Sequence, residues 1–211
     1  MTRPLKHVQI VLRELTRLFP KPDTQLQYKT HWQFLVAVVL SAQTTDLQVN
    51  KVTKVLFKKY KTFDDYTKAN IKIFEQDIKS IGLYRGKAKN ILAAAKLLKT
   101  KYNEQIPKTL KELIELPGVG RKTANVVLGH LYNIHEGVAV DTHVARLSKL
   151  FKLTTHTDPK KIEQDLIKII PQKEWSNINH RMVWYGRVYC SARCTHEECP
   201  IVAKLSKEKL Y

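Results

Sequence analysis

Apolar residues recur along this chain at intervals of three and four, and no stretch sustains period-two alternation, so the pattern predicts helices nearly throughout. Leu12, Leu15 and Leu18 with Phe19 mark a first amphipathic helix, halted at Pro20 and Pro22. Thr30 and Gln33 form a capping-box pattern ahead of Trp32 to Leu40, which is apolar on all sides and therefore expected to be a buried helix. Thr45 and Gln48 repeat that signal before Val49, Val52, Val55 and Leu56, spaced for one helix face. Asn70 is placed to cap a short helix carrying Ile71, Phe74 and Ile78. Ile81 to Lys87 reads as a glycine-punctuated turn, and Ala88 to Lys99 as a helix with Ile91, Leu92, Ala95 and Leu98 inward. Thr109 and Glu112 open a helix containing Leu110, Leu113 and Ile114. It stops at Pro117-Gly118-Val119-Gly120, and a new one begins around Arg121. Asp158-Pro159 is a further start, an N-cap followed by proline at the first helical position. The fold class expected from this pattern is all-α.

The chain has 211 residues, enough for one sizeable core or two small packed halves. With 43% hydrophobic and 27% charged residues it reads as soluble and globular. The longest apolar run, Phe34 to Leu40, is far too short to span a bilayer, and the N-terminus carries no secretory pattern. The expected location is therefore intracellular. A net charge of +18, from 37 Lys and Arg against 19 Asp and Glu, changes the picture more, because such an excess concentrates polyanions at the surface. Charge points to nucleic acid without identifying it. Three cysteines, Cys190, Cys194 and Cys199, cluster within ten residues. Their odd number argues against a disulfide framework, and their clustering raises a metal or iron–sulfur question.

Candidate chemistry gathers around the glycine turn. Gly118 and Gly120 have no Cβ, so backbone N–H groups there can approach a ligand closely. The helix that follows points its N-terminus, with unsatisfied N–H groups and the positive end of its dipole, at the same spot. A phosphate suits that position, and gripping it fixes a DNA backbone without reading bases. Lys122 lies just inside this helix. Taken alone it is a solvated lysine on a basic protein. Asp141, after the apolar stretch Gly137 to Val140, is equally well explained as an N-cap. Together they suit excision of a base. A neutral amine attacking the sugar C1′ gives a Schiff base that permits β-elimination, while a carboxylate accepts a proton and stabilises an oxocarbenium-like sugar.

Several stretches then fall into register with one known family. They are Leu40-Ser41-Ala42-Gln43-Thr44-Thr45-Asp46, Ile81-Gly82-Leu83-Tyr84, Leu116 to Leu128, Val140-Asp141-Thr142-His143-Val144 and Tyr185-Gly186-Arg187-Val188-Tyr189-Cys190. On these motifs the chain resembles the endonuclease III branch of the helix-hairpin-helix DNA glycosylases. The resemblance implies two helical domains with DNA in the cleft between them. Residues 22–134 would form a six-helix central domain with the helix-hairpin-helix at 110–131. Residues 1–21 plus 135–211 would form the second domain, with a degenerate cluster loop at 190–205. It implies a bifunctional glycosylase and AP lyase of base excision repair, removing oxidised pyrimidines from duplex DNA and nicking abasic sites. Lys122 matches the lyase nucleophile and Asp141 the catalytic aspartate. Gln43 matches the residue that fills the gap left by a flipped base, and Leu83 the wedge on the opposite strand. Gly118, Val119, Gly120, Arg121 and Thr123 match the phosphate-gripping hairpin, and His143 lines the site. Such an enzyme would act as a monomer in the cytoplasm, on the nucleoid if bacterial or archaeal, with no membrane partner.

The pattern breaks at the cysteines. Relatives of this kind usually end in four cysteines spaced C-x6-C-x2-C-x5-C around a [4Fe–4S] cluster, whereas here the spacing is C-x3-C-x4-C. Cys190 matches the first ligand and Cys199 the third. The second position falls at His196, beside Cys194, and no cysteine follows Cys199. The expectation is that the cluster is lost and no cofactor is held, with a zinc site at Cys190, Cys194, His196 and Cys199 as the alternative. The competing functions are a glycosylase for another damaged or mismatched base and a non-catalytic helix-hairpin-helix DNA-binding protein.

Overall fold

The computed structural model describes residues 6–210, and every regular element among them is helical. The helices are α1 (Lys6–Leu18), α2 (His31–Ser41), α3 (Asp46–Lys59), α4 (Phe63–Thr67), α5 (Ile71–Asp77), α6 (Tyr84–Lys101), α7 (Leu110–Leu113), α8 (Arg121–Tyr132), α9 (Thr142–Leu150), α10 (Pro159–Ile169), α11 (Trp175–Val188) and α12 (Pro200–Lys207), with a short 3-10 turn at Gln172–Glu174. Contacts divide the chain into two compact units, Gln25–Tyr132 and Met1–Thr24 with Asn133–Tyr211. The first five residues of the expected 1–21 segment, and Tyr211, lie outside the described residues. No helix among those described is long and apolar enough to cross a membrane.

In the unit spanning Gln25–Tyr132, α2 is the central element. Seven of its eleven residues are buried, and it packs against α3, α6 and α8. Thr30 caps it by accepting from Gln33 N, and Thr45 caps α3 by accepting from Gln48 N, as the sequence predicts. The reciprocal half of each capping box is absent. Gln33 Oε1 accepts from Lys29 N instead, and Gln48 Nε2 donates to Ser80 Oγ at 2.8 Å. A complete box occurs at α4, where Thr62 and Asp65 bond reciprocally.

Three apolar residues of the expected helices prove exposed. Val55 is solvent-facing because Thr53 takes its place on the buried face of α3, between Val49 and Leu56. Ile71 and Ile114 are exposed because α5 and α7 are short; Phe74 and Leu113 are the apolar residues that these two helices bury. Helix α6 starts earlier than predicted, at Tyr84, because Leu83 adopts a left-handed φ of 58° and turns the chain directly into it. Ile91, Leu92, Ala95 and Leu98 of α6 are buried, and each such side chain removed from water stabilises by roughly 1–3 kcal/mol.

The unit formed by Met1–Thr24 and Asn133–Tyr211 is built on α11, which packs against α1 and α9. In α1 the buried face is Val8, Ile10, Val11 and Leu15, while Leu12, Leu18 and Phe19 flank the core. Buried Glu14 joins α1 to α12, accepting from Lys204 Nζ at 2.6 Å and from Arg17 Nε at 2.9 Å. Burial works to raise its carboxyl pKa, but those two hydrogen bonds prevail and hold it below the ordinary glutamate value. Arg181, also buried, donates to Phe19 O and pairs with Glu174.

Candidate active-site residues, DNA-contacting loops and metal centre

The turn between α7 and α8 is fixed by packing and backbone hydrogen bonds. Leu116 N donates to Leu113 O at 3.1 Å, and Val119 N to Leu116 O at 3.0 Å. Val119 is buried, and with Pro117 it faces Trp32, Leu35 and Val36 of α2 and Ile91 of α6. Gly118 sits at φ 82°, and a Cβ there would lie 2.9 Å from Asn90 Cβ, so conformation and space both require glycine. Gly120 O accepts from Ala124 N, which closes the first turn of α8. Gly118, Gly120, Arg121 and Lys122 are exposed, and Thr123 half-buried. The first turn of α8 thus begins at a glycine-lined surface, where helix-end N–H groups and a positive dipole end favour an anion. Lys122 makes no ion pair among the described residues and projects from the second position of α8. Helix α8 itself is anchored through His130, which stacks on Phe34 at 4.4 Å between ring centroids and lies 2.6 Å from the Tyr28 hydroxyl.

Gln43 and Leu83 occupy two adjoining turns of the same unit. Both are exposed, and both adopt left-handed backbone conformations, with φ of 54° and 58°. Gly82 backs onto the first turn so closely that a Cβ would meet Gln43 O at 3.2 Å.

Asp141 begins α9 in the other unit. Its Oδ1 accepts from Val144 N at 2.8 Å, so the N-cap expected from sequence is present. The segment before it is held by buried Val138 and Ala139, and Ala139 O accepts from Asn179 Nδ2 of α11 at 2.8 Å. His143, in the first turn of α9, lies against α11, where a Cβ on Gly186 would come within 2.4 Å of His143 Nδ1. Gly186 therefore sets how closely α11 approaches His143. It belongs to a motif legible in the sequence, but its spatial role was not.

The cysteine segment requires a correction. Cys190, Cys194, His196 and Cys199 converge, with all four donor atoms within 4.8 Å of one another. Cys190 Sγ lies 3.4 Å and Cys199 Sγ 3.9 Å from His196 Nδ1, and Cys194 Sγ lies 3.3 Å from Cys199 Sγ. A tetrahedral centre with ligand bonds of about 2.0–2.3 Å spaces its donors roughly 3.3–3.8 Å apart, close to these separations. Three thiols and an imidazole also make up the four protein ligands that a metal centre of either kind takes. The expectation that this segment holds no metal is overturned by that convergence. It failed because spacing in sequence hid the left-handed turn at His196, φ 73°, which brings the imidazole back towards the thiols. Neighbouring groups reinforce the sulfurs. Arg146 Nη1 lies 3.4 Å from Cys190 Sγ, Arg146 Nη2 donates to Cys190 O, and His196 N donates to Cys194 Sγ at 3.3 Å.

Known proteins agree with this architecture. The family model described as HhH-GPD superfamily base excision DNA repair protein matches residues 36–172. The chain is 42% identical over 203 residues to an Endonuclease III of Bacillus subtilis (strain 168), covering 94% of this chain and 91% of that protein. It is 45% identical over 183 residues to an Endonuclease III of Synechocystis sp., covering 87% and 84%. It is also similar to the solved structure of a trapped endonuclease III–DNA covalent intermediate in an estranged-adenine complex. That match has a TM-score of 0.88 and 44% identity, over 98% of this chain and 100% of that one. With the glycine hairpin before α8, the all-helical fold and these matches, the chain belongs to the endonuclease III family of HhH-GPD base excision DNA repair proteins.

Proposed function

We propose that this protein is a bifunctional DNA glycosylase and AP lyase of base excision repair that removes oxidised pyrimidines from duplex DNA. The observation that carries the reading is Lys122, exposed and without an ion pair among the described residues, on the first turn of α8 directly after the glycine hairpin. Hairpin N–H groups and the α8 dipole hold a phosphate beside the damaged nucleotide. Gln43 fills the gap left by the extruded base, and Leu83 wedges the opposite strand, replacing stacking that costs a few kcal/mol to lose. Lys122 Nζ attacks C1′ as the glycosidic bond breaks, and the bonding pair leaves with the base. The attached amine then loses a proton and the sugar ring opens, giving a Schiff base. Removal of a C2′ proton drives the electrons into the iminium, and the C3′–O bond breaks with departure of the 3′ phosphate. Asp141 stabilises positive charge on the sugar and accepts a proton.

Domain roles follow the same reading. Residues 22–134 carry the hairpin and insertion loops, and residues 1–21 with 135–211 carry Asp141 and the metal centre. Cys190, Cys194, His196 and Cys199 hold that centre. Four protein donors leave no position for substrate, so the centre supplies folding free energy to the loop rather than a reacting atom. The protein works as a monomer in the cytoplasm.

The test is release and nicking on duplexes that contain thymine glycol. Wild type is expected to free the base and cut the strand, and Lys122→Gln to do neither at a measurable rate. Binding with no base released from thymine glycol or other oxidised pyrimidines would favour a non-catalytic DNA-binding protein. Release only from mismatched or alkylated bases would move the substrate class.

A further inference from the structure

Lys87, in the first turns of α6, is a buried lysine, 6% exposed, that forms no salt bridge among the described residues. Its ammonium donates to Leu40 O at 2.8 Å and Ala42 O at 2.5 Å, with Thr44 Oγ1 at 3.4 Å. Leu40 O belongs to the last turn of α2, where carbonyls lack helical partners and the dipole is negative. Ala42 O belongs to the peptide that leads into Gln43. The backbone N–H of Lys87 donates to Leu83 O at 3.1 Å. One residue therefore holds both exposed turns, through its side chain on one and its main chain on the other. Gly82 presses against Gln43 O from beneath, and Gln48 Nε2 ties the start of α3 to Ser80. Left-handed backbone at Gln43 and Leu83 costs energy for non-glycine residues and persists only where neighbours over-determine it. Lys87 supplies that determination.

We infer that Lys87 is a positioning residue that presents Gln43 and Leu83 to the duplex as one rigid pair, so that both strands are engaged when a base is extruded. The inference rests on the insertion roles given to Gln43 and Leu83 above. Burial also pushes the Lys87 ammonium below the ordinary lysine pKa, so its charge depends on the carbonyls that surround it. Preorganisation matters here because an insertion residue that wanders by an ångström loses its advantage at the barrier, a loss of about 10–100-fold in comparable cases.

The experiment compares full-length Lys87→Met, Gly82→Ala, Gln43→Ala, Leu83→Ala and wild type in single-turnover reactions. One duplex carries a base-paired thymine glycol, and the other an abasic site, where no base has to leave the stack. A 2-aminopurine opposite the lesion reports unstacking by fluorescence. Lys87→Met is expected to slow reaction at paired thymine glycol about 10–100-fold, to change abasic-site nicking by less than about threefold, and to weaken the 2-aminopurine signal. Gly82→Ala, which pushes Gln43 O without touching the lysine, is expected to show the same substrate-selective loss, and it carries the test if Lys87→Met does not fold. Equal loss on both duplexes, or no loss on either, overturns the inference. If Gln43→Ala and Leu83→Ala leave extrusion intact, the insertion reading itself falls and takes the role of Lys87 with it. If those two lose extrusion while Lys87→Met and Gly82→Ala do not, only the role of Lys87 is wrong.

Discussion

The turn that precedes α8 and the loop that precedes α12 both deliver the chain into a helix, yet they are held by different forces. Before α8, Leu113, Leu116 and Val119 are buried and two backbone hydrogen bonds close the turn, so its shape is complete without any ligand. Before α12, only Cys190 and Cys199 of residues 190–199 are buried, and Ser191, Ala192, Arg193, Thr195, Glu197 and Glu198 are exposed. The second loop has almost no apolar side chain to pack. What converges inside it are three thiols, an imidazole and the Arg146 guanidinium, groups that are costly to bury together unless something satisfies them. One loop sets its exposed backbone on a hydrophobic footing. The other trades hydrophobic footing for donors, and its order should depend on a metal. The segment leading to Asp141 resembles the first loop in this respect, since Val138 and Ala139 anchor it.

The largest departure expected concerns chemistry placed on an apolar footing. Asp141→Asn keeps an N-cap of equal quality, so stability should stay within about 0.5 kcal/mol while base release falls about 100–1000-fold. Single-turnover assays paired with thermal melts would separate those two effects, and a loss of stability matching the loss of rate would reduce Asp141 to a cap. Next comes the metal. Purified protein should carry bound metal, and a strong chelator or Cys199→Ser should cost at least ~3 kcal/mol, a fall in Tm of roughly 6–12 °C. Elemental analysis that finds no metal, with melting indifferent to chelation, would erase the contrast between the two loops.

Gly118→Ala probes the hairpin from the other side. A Cβ 2.9 Å from Asn90 in left-handed backbone should cost ~1–3 kcal/mol and weaken binding to undamaged duplex, measured by fluorescence anisotropy. Unchanged affinity would mean that the hairpin is a turn and not a phosphate grip. The smallest effect belongs to the Glu14 tie between α1 and α12, close to the metal loop. Its carboxyl pKa is lower folded than unfolded, so its contribution is full above the unfolded value, about 4.3, and disappears as pH falls through the folded value. Arg13 and Arg17 of α1 and Lys204 of α12 are the cations that face it. Glu14→Gln should therefore cost ~1–3 kcal/mol at pH 7 in denaturant titrations and progressively less below pH 4. A deficit independent of pH would show packing, not charge, at that joint.

Most of the fold was legible because it rests on local rules. Thr30, Thr45, Thr109 and Asp158 cap helices where they were expected, and α1 ends just before Pro20. Helix α7 ends at Leu113, short of the expected stop at Pro117. Interior faces were less legible, since a polar Thr53 sits at the i+4 position between Val49 and Leu56 on the buried face, while apolar Val55 falls off it. Of the site residues, Gly118 was readable because left-handed backbone favours glycine. Lys87 and Gly186 were not, because their partners lie 40 or more residues away and no spacing rule connects them. The four metal donors were named from sequence as the alternative, and they do meet; it was the expected loss of any metal that failed. A spacing template counts residues, whereas a left-handed turn at His196 brings its imidazole to the thiols.

The central claim is that Lys122 is the nucleophile, and borohydride trapping on an abasic-site duplex, followed by peptide mapping of the adduct, tests it most directly. Reduction should fix the Schiff base as a covalent protein–DNA species on the peptide that contains Lys122, and Lys122→Gln should form none. An adduct that maps to another lysine, or a Lys122→Gln variant that traps as well as wild type, would contradict it.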